Sequence, residues 1–241
     1  MYKIGHRGAR GYEPENTLRS FNKAIALGAD MVECDVKLTA DNQLVIFHDK
    51  NTERLTDCPG LVNELTLAEL KELKLEGGEK ILTLKETLAA LYGRVKVNLE
   101  LKDVQAFDYL IAEISRLDFS RQDILVSSNY CRLLRRLKQQ LPQVKAAWLF
   151  RANDGWLKEL VWVVMMMAIY PFTVGYILRK MKCHEVEAVN IHHLLVSKRL
   201  IDKIHQYNKM VIAWTVDNPA KIKKLKQWGI DGIISNYPDR L

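Results

Sequence analysis

The sequence lacks the marks of a secreted, disulfide-bonded or multidomain protein. Its four cysteines, Cys34, Cys58, Cys131 and Cys183, form neither a C-x-x-C pair nor a spaced zinc-binding set, so we expect reduced thiols. The N-terminus has no apolar core followed by small residues, which predicts a cytoplasmic protein. Length alone leaves one or two domains open. Since no proline-, glycine- and serine-rich linker divides the chain, we expect a single domain over residues 1–241.

A basic stripe interleaved with aromatic side chains is also missing. Lysine and arginine number 36 against 29 aspartate and glutamate residues, a formal net charge of +7, which favours an anionic partner without specifying its kind. The nearest candidate for nucleic-acid binding is the lysine-rich segment 221–226, whose pattern is typical of the solvated face of a helix. We therefore expect no nucleic-acid partner.

Short apolar runs alternate with amphipathic helical patterns along most of the chain. The predicted strands cover residues 2–4, 31–38, 43–47, 95–101, 124–127, 145–149, 188–191, 210–216 and 232–234. Repeated strand–helix pairs with short links predict a parallel sheet covered by helices. With about eight barrel strands expected among these candidates, a TIM (β/α)8 barrel fits the pattern best. The alternative, a doubly wound open sheet, lacks its usual G-x-G-x-x-G turn after the first strand.

An apolar insertion near residues 157–181 departs from this pattern. Its stretch from Leu160 to Leu178 contains no charged side chain and is long enough for a membrane-spanning helix. A span would place the two halves of one barrel on opposite sides of a bilayer, so a barrel excludes it. Two alternatives stay open: a helix–loop packed within the protein, and a surface hairpin, broken at Pro171, that dips into one leaflet.

The flanks of this insertion suit the second alternative. Aromatic side chains favour the membrane interface and basic side chains favour anionic head groups. The residues concerned are Trp156, Trp162, Tyr170 and Tyr176, and Lys158, Arg179, Lys180 and Lys182. The sequence therefore allows peripheral contact with an anionic membrane.

Charged and imidazole side chains lie on, or just past, four predicted strand ends. They are His6 and Arg7, Glu33 and Asp35, His48 and Asp49, and Glu100 and Lys102. In a barrel the carboxyl ends of the strands converge, because the active-site loops open there. We therefore expect these side chains to share one site.

The spacing of the acidic residues indicates a metal site. Side chains two apart on a strand point the same way, so Glu33 and Asp35 share one face, as Glu100 does with Lys102. Three carboxylates in a buried barrel mouth repel one another unless a cation lies among them. Oxygen ligands favour Mg²⁺ or Ca²⁺. The simpler alternative for Glu33 and Asp35, a solvated strand face, is disfavoured by the coincidence with Glu100 and by the apolar residues on the other face of both strands.

Two of the six histidines, His6 and His48, directly end strands beside charged residues, and they can divide the roles of general acid and base near neutral pH. A metal-ligand role for them is the less favoured alternative. Arg7 and Lys102 suit phosphate binding. We expect no function for the others, His184, His192, His193 and His205. These residues together predict metal-assisted acid–base cleavage of a phosphate ester.

At these positions the sequence resembles the glycerophosphodiester phosphodiesterase family. The matching segments are His6-Arg7-Gly8-Ala9, Pro14-Glu15-Asn16-Thr17, Glu33-x-Asp35-Val36, His48-Asp49, Asn98-Leu99-Glu100-Leu101-Lys102 and Trp214-Thr215-Val216-Asp217. They run in order over nearly the whole chain. A chance match over so many segments is very improbable.

The resemblance implies a TIM barrel, one divalent cation, and hydrolysis of small glycerophosphodiesters to glycerol 3-phosphate and an alcohol. It makes Glu33, Asp35 and Glu100 the metal ligands and His6 and His48 the acid–base pair. It also makes Arg7 and Lys102 phosphate contacts. Trp214 is expected at the pocket rim.

Two departures from the family pattern are Asn129 and the segment Ser235-Asn236-Tyr237-Pro238. We expect both at the pocket rim rather than in the catalytic set, so they affect the choice of substrate. Cleavage of lysophospholipids, as by a lysophospholipase D, is an alternative activity. A non-catalytic barrel that binds anionic lipid is an alternative function.

Overall fold

The computed structural model describes residues 1–116, 120–151 and 156–241, with the backbone alone at residues 156, 157, 160, 170 and 171. The strands are β1 Tyr2–Gly5, β2 Met31–Leu38, β3 Leu44–Ile46, β4 Leu82–Thr83, β5 Lys96–Leu101, β6 Ile124–Ser128, β7 Lys145–Phe150, β8 Ala188–His192, β9 Met210–Trp214 and β10 Gly232–Ser235. The helices are α1 Leu18–Ala26, α2 Leu67–Glu72, α3 Leu84–Leu91, α4 Phe107–Arg116, α5 Cys131–Gln140, α6 Trp156–Ala168, α7 Tyr170–Cys183, α8 Lys198–His205 and α9 Pro219–Gln227. The sequence predicts the helix corresponding to α4 over residues 106–117, and residue 117 lies outside the described residues.

Eight parallel strands form a closed barrel. β1 pairs with β10 on one side and with β2 on the other, and the remaining neighbours follow in the order β9, β8, β7, β6 and β5 back to β2. This closure confirms the predicted TIM barrel and excludes the doubly wound open sheet.

Side chains alternate between the two faces of the barrel strands. Outward-facing residues such as Val32, Val36, Leu99 and Leu101 pack under the helices in the main core. A smaller apolar cluster fills the lower interior of the barrel: Ile4, Met31, Leu125, Ala147, Ala188, Ile212 and Ile234. Because this layer closes the barrel below, polar inward-facing residues one or two pleats further along each strand open toward the upper mouth.

The predicted third strand is not a barrel strand. β3 runs antiparallel to β2, with Val36 opposite Ile46, and continues the sheet outside the barrel together with β4. The apolar run 43–47 looks like the other strands, and periodicity does not specify direction. The short turn at Asn42, which has a φ of 60°, makes a hairpin instead. This hairpin returns the chain to the level of Asp35, whose carbonyl accepts the Phe47 N–H at 2.9 Å.

The apolar insertion forms the two helices α6 and α7, which break at Ile169. Within the described residues no single helix is long and apolar enough to cross a membrane, although Val161–Ala168 and Phe172–Cys183 pass that test together, bent by 104°. One side of the pair is buried in the core, including Val163, Val174 and Ile177. The opposite side exposes apolar side chains: Val161, Val164, Met165, Met167, Ile169 and Phe172. The Trp156, Tyr170 and Pro171 side chains lie outside those described.

Candidate active site

Three carboxylates meet at the barrel mouth. Glu33 and Asp35 lie on β2, and the strand register places Asp35 directly beside Glu100 of β5. One oxygen of each of the three groups lies within 4.8 Å of the others. Glu33 and Asp35 are buried, so their mutual repulsion is poorly screened by water. The structure therefore brings together all three predicted ligand residues.

Asp35 is neutralised by the two predicted phosphate-binding residues. Lys102 Nζ lies 3.0 Å from Asp35 Oδ1, and Arg7 Nε lies 3.1 Å from Oδ2. Burial alone would raise the pKa of Asp35, but the charges of Lys102 and Arg7 outweigh it and hold the pKa well below its ordinary value. Asp35 is therefore ionised at neutral pH.

At Glu33 the charges of Arg7 and Lys102 are too weak to offset burial and the neighbouring carboxylates. Glu33 Oε2 accepts the backbone N–H of Arg7 at 2.9 Å, whereas its buried Oε1 has no hydrogen-bond partner among the described residues. Burial, together with the negative charges of Asp35 and Glu100, raises the pKa of Glu33 well above its ordinary value. A divalent cation beside Oε1 would relieve both the repulsion and the missing contact, so these residues fit a cation of the Mg²⁺ or Ca²⁺ class.

His6 follows β1 and lies beside Glu33, with 4.0 Å between His6 Nε2 and Glu33 Oε2. Its Nδ1 lies 2.7 Å from Asn236 Oδ1, and the Asn236 amide nitrogen donates to Asp217 at 2.6 Å. Because the Asn236 oxygen is an acceptor, His6 Nδ1 carries the proton and Nε2 is left as the basic nitrogen. Burial and the charge of Arg7 lower the pKa of His6 to about 3, so the ring is neutral at neutral pH.

His48 follows β3 and has a different partner. Its Nδ1 lies 2.6 Å from Asp49 Oδ1, and Arg54 donates to the other oxygen of Asp49. The Asp49 carboxylate at Nδ1 fixes the orientation of the ring and makes Nδ1 the nitrogen that donates a hydrogen bond. His48 Nε2 is therefore the nitrogen left for exchange with a substrate.

Two residues without a predicted role, Glu15 and Arg54, hold Arg7 in place. Glu15 Oε1 accepts from Arg7 at 2.7 Å and from Arg54 at 2.6 Å. Arg7 itself has a φ of 51°, a conformation that costs a non-glycine residue about 1–2 kcal/mol, and these bonds offset that cost. The Pro14-Glu15-Asn16-Thr17 segment contains the only sequence signal for Glu15, and no feature of the pattern indicates Arg54.

The mouth forms a cavity of about 530 Å³. It is lined by every predicted acid–base, phosphate-binding and metal-ligand residue except Asp35, which is buried beneath it. Trp214, predicted at the pocket rim, lines this cavity, as do Asn190 and His192. His192, for which the sequence predicts no function, lies at the carboxyl end of β8 and therefore reaches the mouth. A polar groove of about 1020 Å³ continues from His48 and Lys102 outward.

Asn236 also corrects an expectation. The sequence predicts it at the rim, yet it hydrogen-bonds the His6 ring directly. The contact joins residues at opposite ends of the chain, and only the closure of β1 against β10 brings them together. Asn129, by contrast, lies at the edge of the polar groove, as expected for a rim residue.

A closed parallel barrel with acidic, imidazole and cationic side chains at its mouth defines a TIM-barrel enzyme. The model of the glycerophosphoryl diester phosphodiesterase family matches residues 6–240. A glycerophosphodiester phosphodiesterase of Bacillus altitudinis is 30% identical over 258 residues, which cover 100% of this chain and 96% of that protein.

Solved structures of glycerophosphodiester phosphodiesterases are similar to this chain as well. A phosphodiesterase of Oleispira antarctica, in complex with the product sn-glycerol-3-phosphate, is similar with a TM-score of 0.82 at 26% identity, over 98% of this chain and 93% of that one. A glycerophosphodiester phosphodiesterase of Thermotoga maritima gives a TM-score of 0.76 at 26% identity, over 99% and 96%. The chain belongs to the glycerophosphoryl diester phosphodiesterase family, which confirms the resemblance and the enzyme class.

Proposed function

We propose that this protein hydrolyses small glycerophosphodiesters to glycerol 3-phosphate and an alcohol. The observation that carries the proposal is the meeting of His6, His48 and three carboxylates at one barrel mouth. The names of the relatives support the substrate class, and the Oleispira antarctica enzyme was solved with sn-glycerol-3-phosphate as its product.

The proposal includes one divalent cation, Mg²⁺ or Ca²⁺, held by Glu33, Asp35 and Glu100. Its support is the unpaired buried oxygen of Glu33 and the raised pKa of that carboxyl group, both of which a cation would relieve. When bound, the cation polarises the phosphoryl oxygens and offsets their developing negative charge. Lys102 and Arg7 keep Asp35 ionised and add positive charge beside the phosphate.

Acid–base catalysis is assigned to the two histidines. His6 Nε2 accepts the proton of the glycerol 2-hydroxyl while that oxygen attacks phosphorus, and His48 donates a proton to the leaving alkoxide. The cyclic phosphate is then opened by water with the two roles reversed. The assignment follows the partners of the rings: an amide oxygen for His6 and a carboxylate for His48.

The test is release of glycerol 3-phosphate from glycerophosphocholine, measured with a coupled enzyme. We expect His6→Ala and His48→Ala each to lower kcat by about 10²–10⁴-fold, and dialysis against chelator to abolish activity until Mg²⁺ or Ca²⁺ is restored. His205→Ala is the matched control, since His205 lies on α8 and pairs with Asp231 outside the mouth. Full activity in chelator would refute the cation, and activity in both site variants would refute the acid–base pair.

We also propose peripheral contact between the exposed side of α6 and α7 and an anionic membrane. The support is a group of exposed apolar side chains on the two helices, among them Val164, Met165 and Phe172, with Lys180 and Lys182 near the end of α7. Such a surface, bordered by cations, fits a lipid interface. The cytoplasmic location stays a prediction.

A further inference from the structure

A second pocket, of about 550 Å³, lies between the end of β7 and the helices α6 and α7. Five aromatic side chains line it. The Phe150 and Trp162 ring centroids are 4.5 Å apart, and those of Trp148 and Tyr176 are 5.9 Å apart. Thr173, a polar wall residue, donates its hydroxyl to the carbonyl groups of Met166 and Ile169. The pocket thus has the size of a small-molecule site, with several aromatic side chains and a few polar ones in its walls.

This aromatic pocket adjoins the catalytic cavity. Leu149 and Arg151 line both spaces, and both also line the polar groove. Arg151 Nη1 lies 3.8 Å from Oε1 of Glu100, one of the three carboxylates. A molecule whose phosphate lies at the mouth can therefore extend an attached apolar group past Leu149 into the aromatic pocket.

We propose that the aromatic pocket binds the aliphatic chain of a lysophospholipid, and that the enzyme cleaves such lipids at the same mouth. The inference rests on the proposed function. In the net reaction, water breaks the P–O bond to the head-group alcohol. The oxygen atom of the water stays on phosphorus, and the head-group alkoxide takes up a proton. The products are the free head-group alcohol and an acylglycerol phosphate.

The chemistry of the two spaces favours an amphiphile over a wholly polar substrate. Arg7, Lys102 and Arg151 offer positive charge at the mouth, whereas the aromatic rings of the second pocket offer an aliphatic chain apolar contact. Phe172 stands at the outer edge of the pocket, 79% exposed, so the far end of a long chain has a way out. Full burial of one methylene group strengthens binding about fourfold.

The test compares glycerophosphocholine, which has no chain, with hexanoyl, octanoyl and decanoyl lysophosphatidylcholine below their micelle concentrations. We expect kcat/KM to rise at least tenfold from the hexanoyl to the decanoyl substrate. Met166→Asp, which places a charge in the pocket wall, is expected to remove this rise and to leave glycerophosphocholine hydrolysis within twofold. Phe172→Asp, at the exposed edge, is a second variant that leaves the core unchanged.

Met165→Asp is the matched control. Met165 neighbours Met166 on α6, but it faces solvent and lies outside the pocket lining, so its kinetics should match the wild type on every monomeric substrate. Wild-type enzyme that hydrolyses glycerophosphocholine but shows no dependence on chain length would overturn the inference and leave the proposed function standing.

A binding measurement distinguishes failure of the pocket assignment from failure of the proposed function. We expect dodecylphosphocholine monomers to quench the fluorescence of the pocket tryptophans, with a Kd at least tenfold below that of phosphocholine, and Met166→Asp to cancel the difference. This readout needs no hydrolysis. Equal Kd values would overturn the pocket assignment, whereas absence of any hydrolysis alongside chain-dependent binding would overturn the proposed function instead.

Discussion

His6 and His48 show how one side chain acquires two chemical roles from its neighbours. Both rings present Nε2 as the nitrogen that is free to exchange a proton, because both Nδ1 atoms are engaged. The amide of Asn236 is fixed in orientation by Asp217, which accepts from its nitrogen. A hydrogen bond between residues at opposite ends of the chain, held in place by Asp217, thereby determines which nitrogen of the His6 ring carries the proton.

Glu15 gives a pH-dependent prediction at the residue scale. Burial opposes ionisation of Glu15, but Arg54, Arg7 and Arg10 outweigh it and lower its pKa from about 4.5 to about 2. A folded-state pKa below the unfolded value means stability that is fully present above pH 4.5 and is lost as the pH falls toward 2. We expect Glu15→Gln to lower the free energy of unfolding at pH 7 by about 1–3 kcal/mol.

Urea unfolding at pH 7 and pH 3 measures this effect. The difference between wild type and Glu15→Gln should be smaller at pH 3, where part of the Glu15 contribution is already lost. Glu64→Gln, at an exposed site, should have little effect at either pH. An equal destabilisation by Glu15→Gln at both pH values would contradict the ion-pair account.

At the scale of the element, the loop from β1 to α1 depends on Gly8. Gly8 has a φ of 85°, and a Cβ placed there would lie 2.4 Å from Ser20 Oγ and 2.6 Å from the Ser20 carbonyl carbon. Gly8→Ala therefore combines backbone strain with a collision against α1, and we expect it to cost about 3 kcal/mol in the free energy of unfolding. Because the loop carries Arg7, we expect activity to fall as well.

Gly28→Ala isolates the strain from the collision. Gly28 has a φ of 79°, yet a Cβ added to it would have nothing within 4 Å, so only the strain of about 1 kcal/mol is expected. Urea unfolding of the two variants measures the difference. Equal destabilisation would contradict the role of the Ser20 contact.

The pair of helices α6 and α7 gives a prediction that is independent of hydrolysis. If its exposed side contacts lipid, the protein should sediment with vesicles that contain phosphatidylserine at low salt, and Met165→Asp should reduce the bound fraction several-fold. Tyr207→Asp changes a comparably exposed residue just past α8 and should have no effect. Wild-type protein that stays in the supernatant would contradict membrane contact.

At the scale of the whole molecule, the alternation of apolar runs and helical patterns is sufficient to predict a barrel, because parallel strands buried on both faces need helices around them. The convergence of Glu33, Asp35 and Glu100 follows from the same rule. The direction of β3 cannot be predicted in this way, since a strand's side-chain pattern is the same in either direction. The hairpin nevertheless brings His48 to the mouth, so the predicted grouping survives a wrong strand assignment.

The site features that cannot be predicted from the sequence depend on contacts between segments that are far apart in the chain. Asn236 reaches His6 only through the pairing of β1 with β10, and Arg54 reaches Glu15 only from the loop after β3. Neither residue forms part of a spaced pattern. The aromatic pocket likewise depends on how α6 and α7 pack on β7, which apolar composition alone does not specify.

The central claim is that this barrel breaks the phosphodiester bond on the side of the alcohol. ³¹P NMR of glycerophosphocholine incubated with the wild-type protein and Mg²⁺ or Ca²⁺ tests it directly, because each possible phosphorus product has its own resonance. We predict that glycerol 3-phosphate replaces the diester signal and that chelator stops the conversion. Phosphocholine as the phosphorus product, or a diester signal that persists with either cation, would contradict the account.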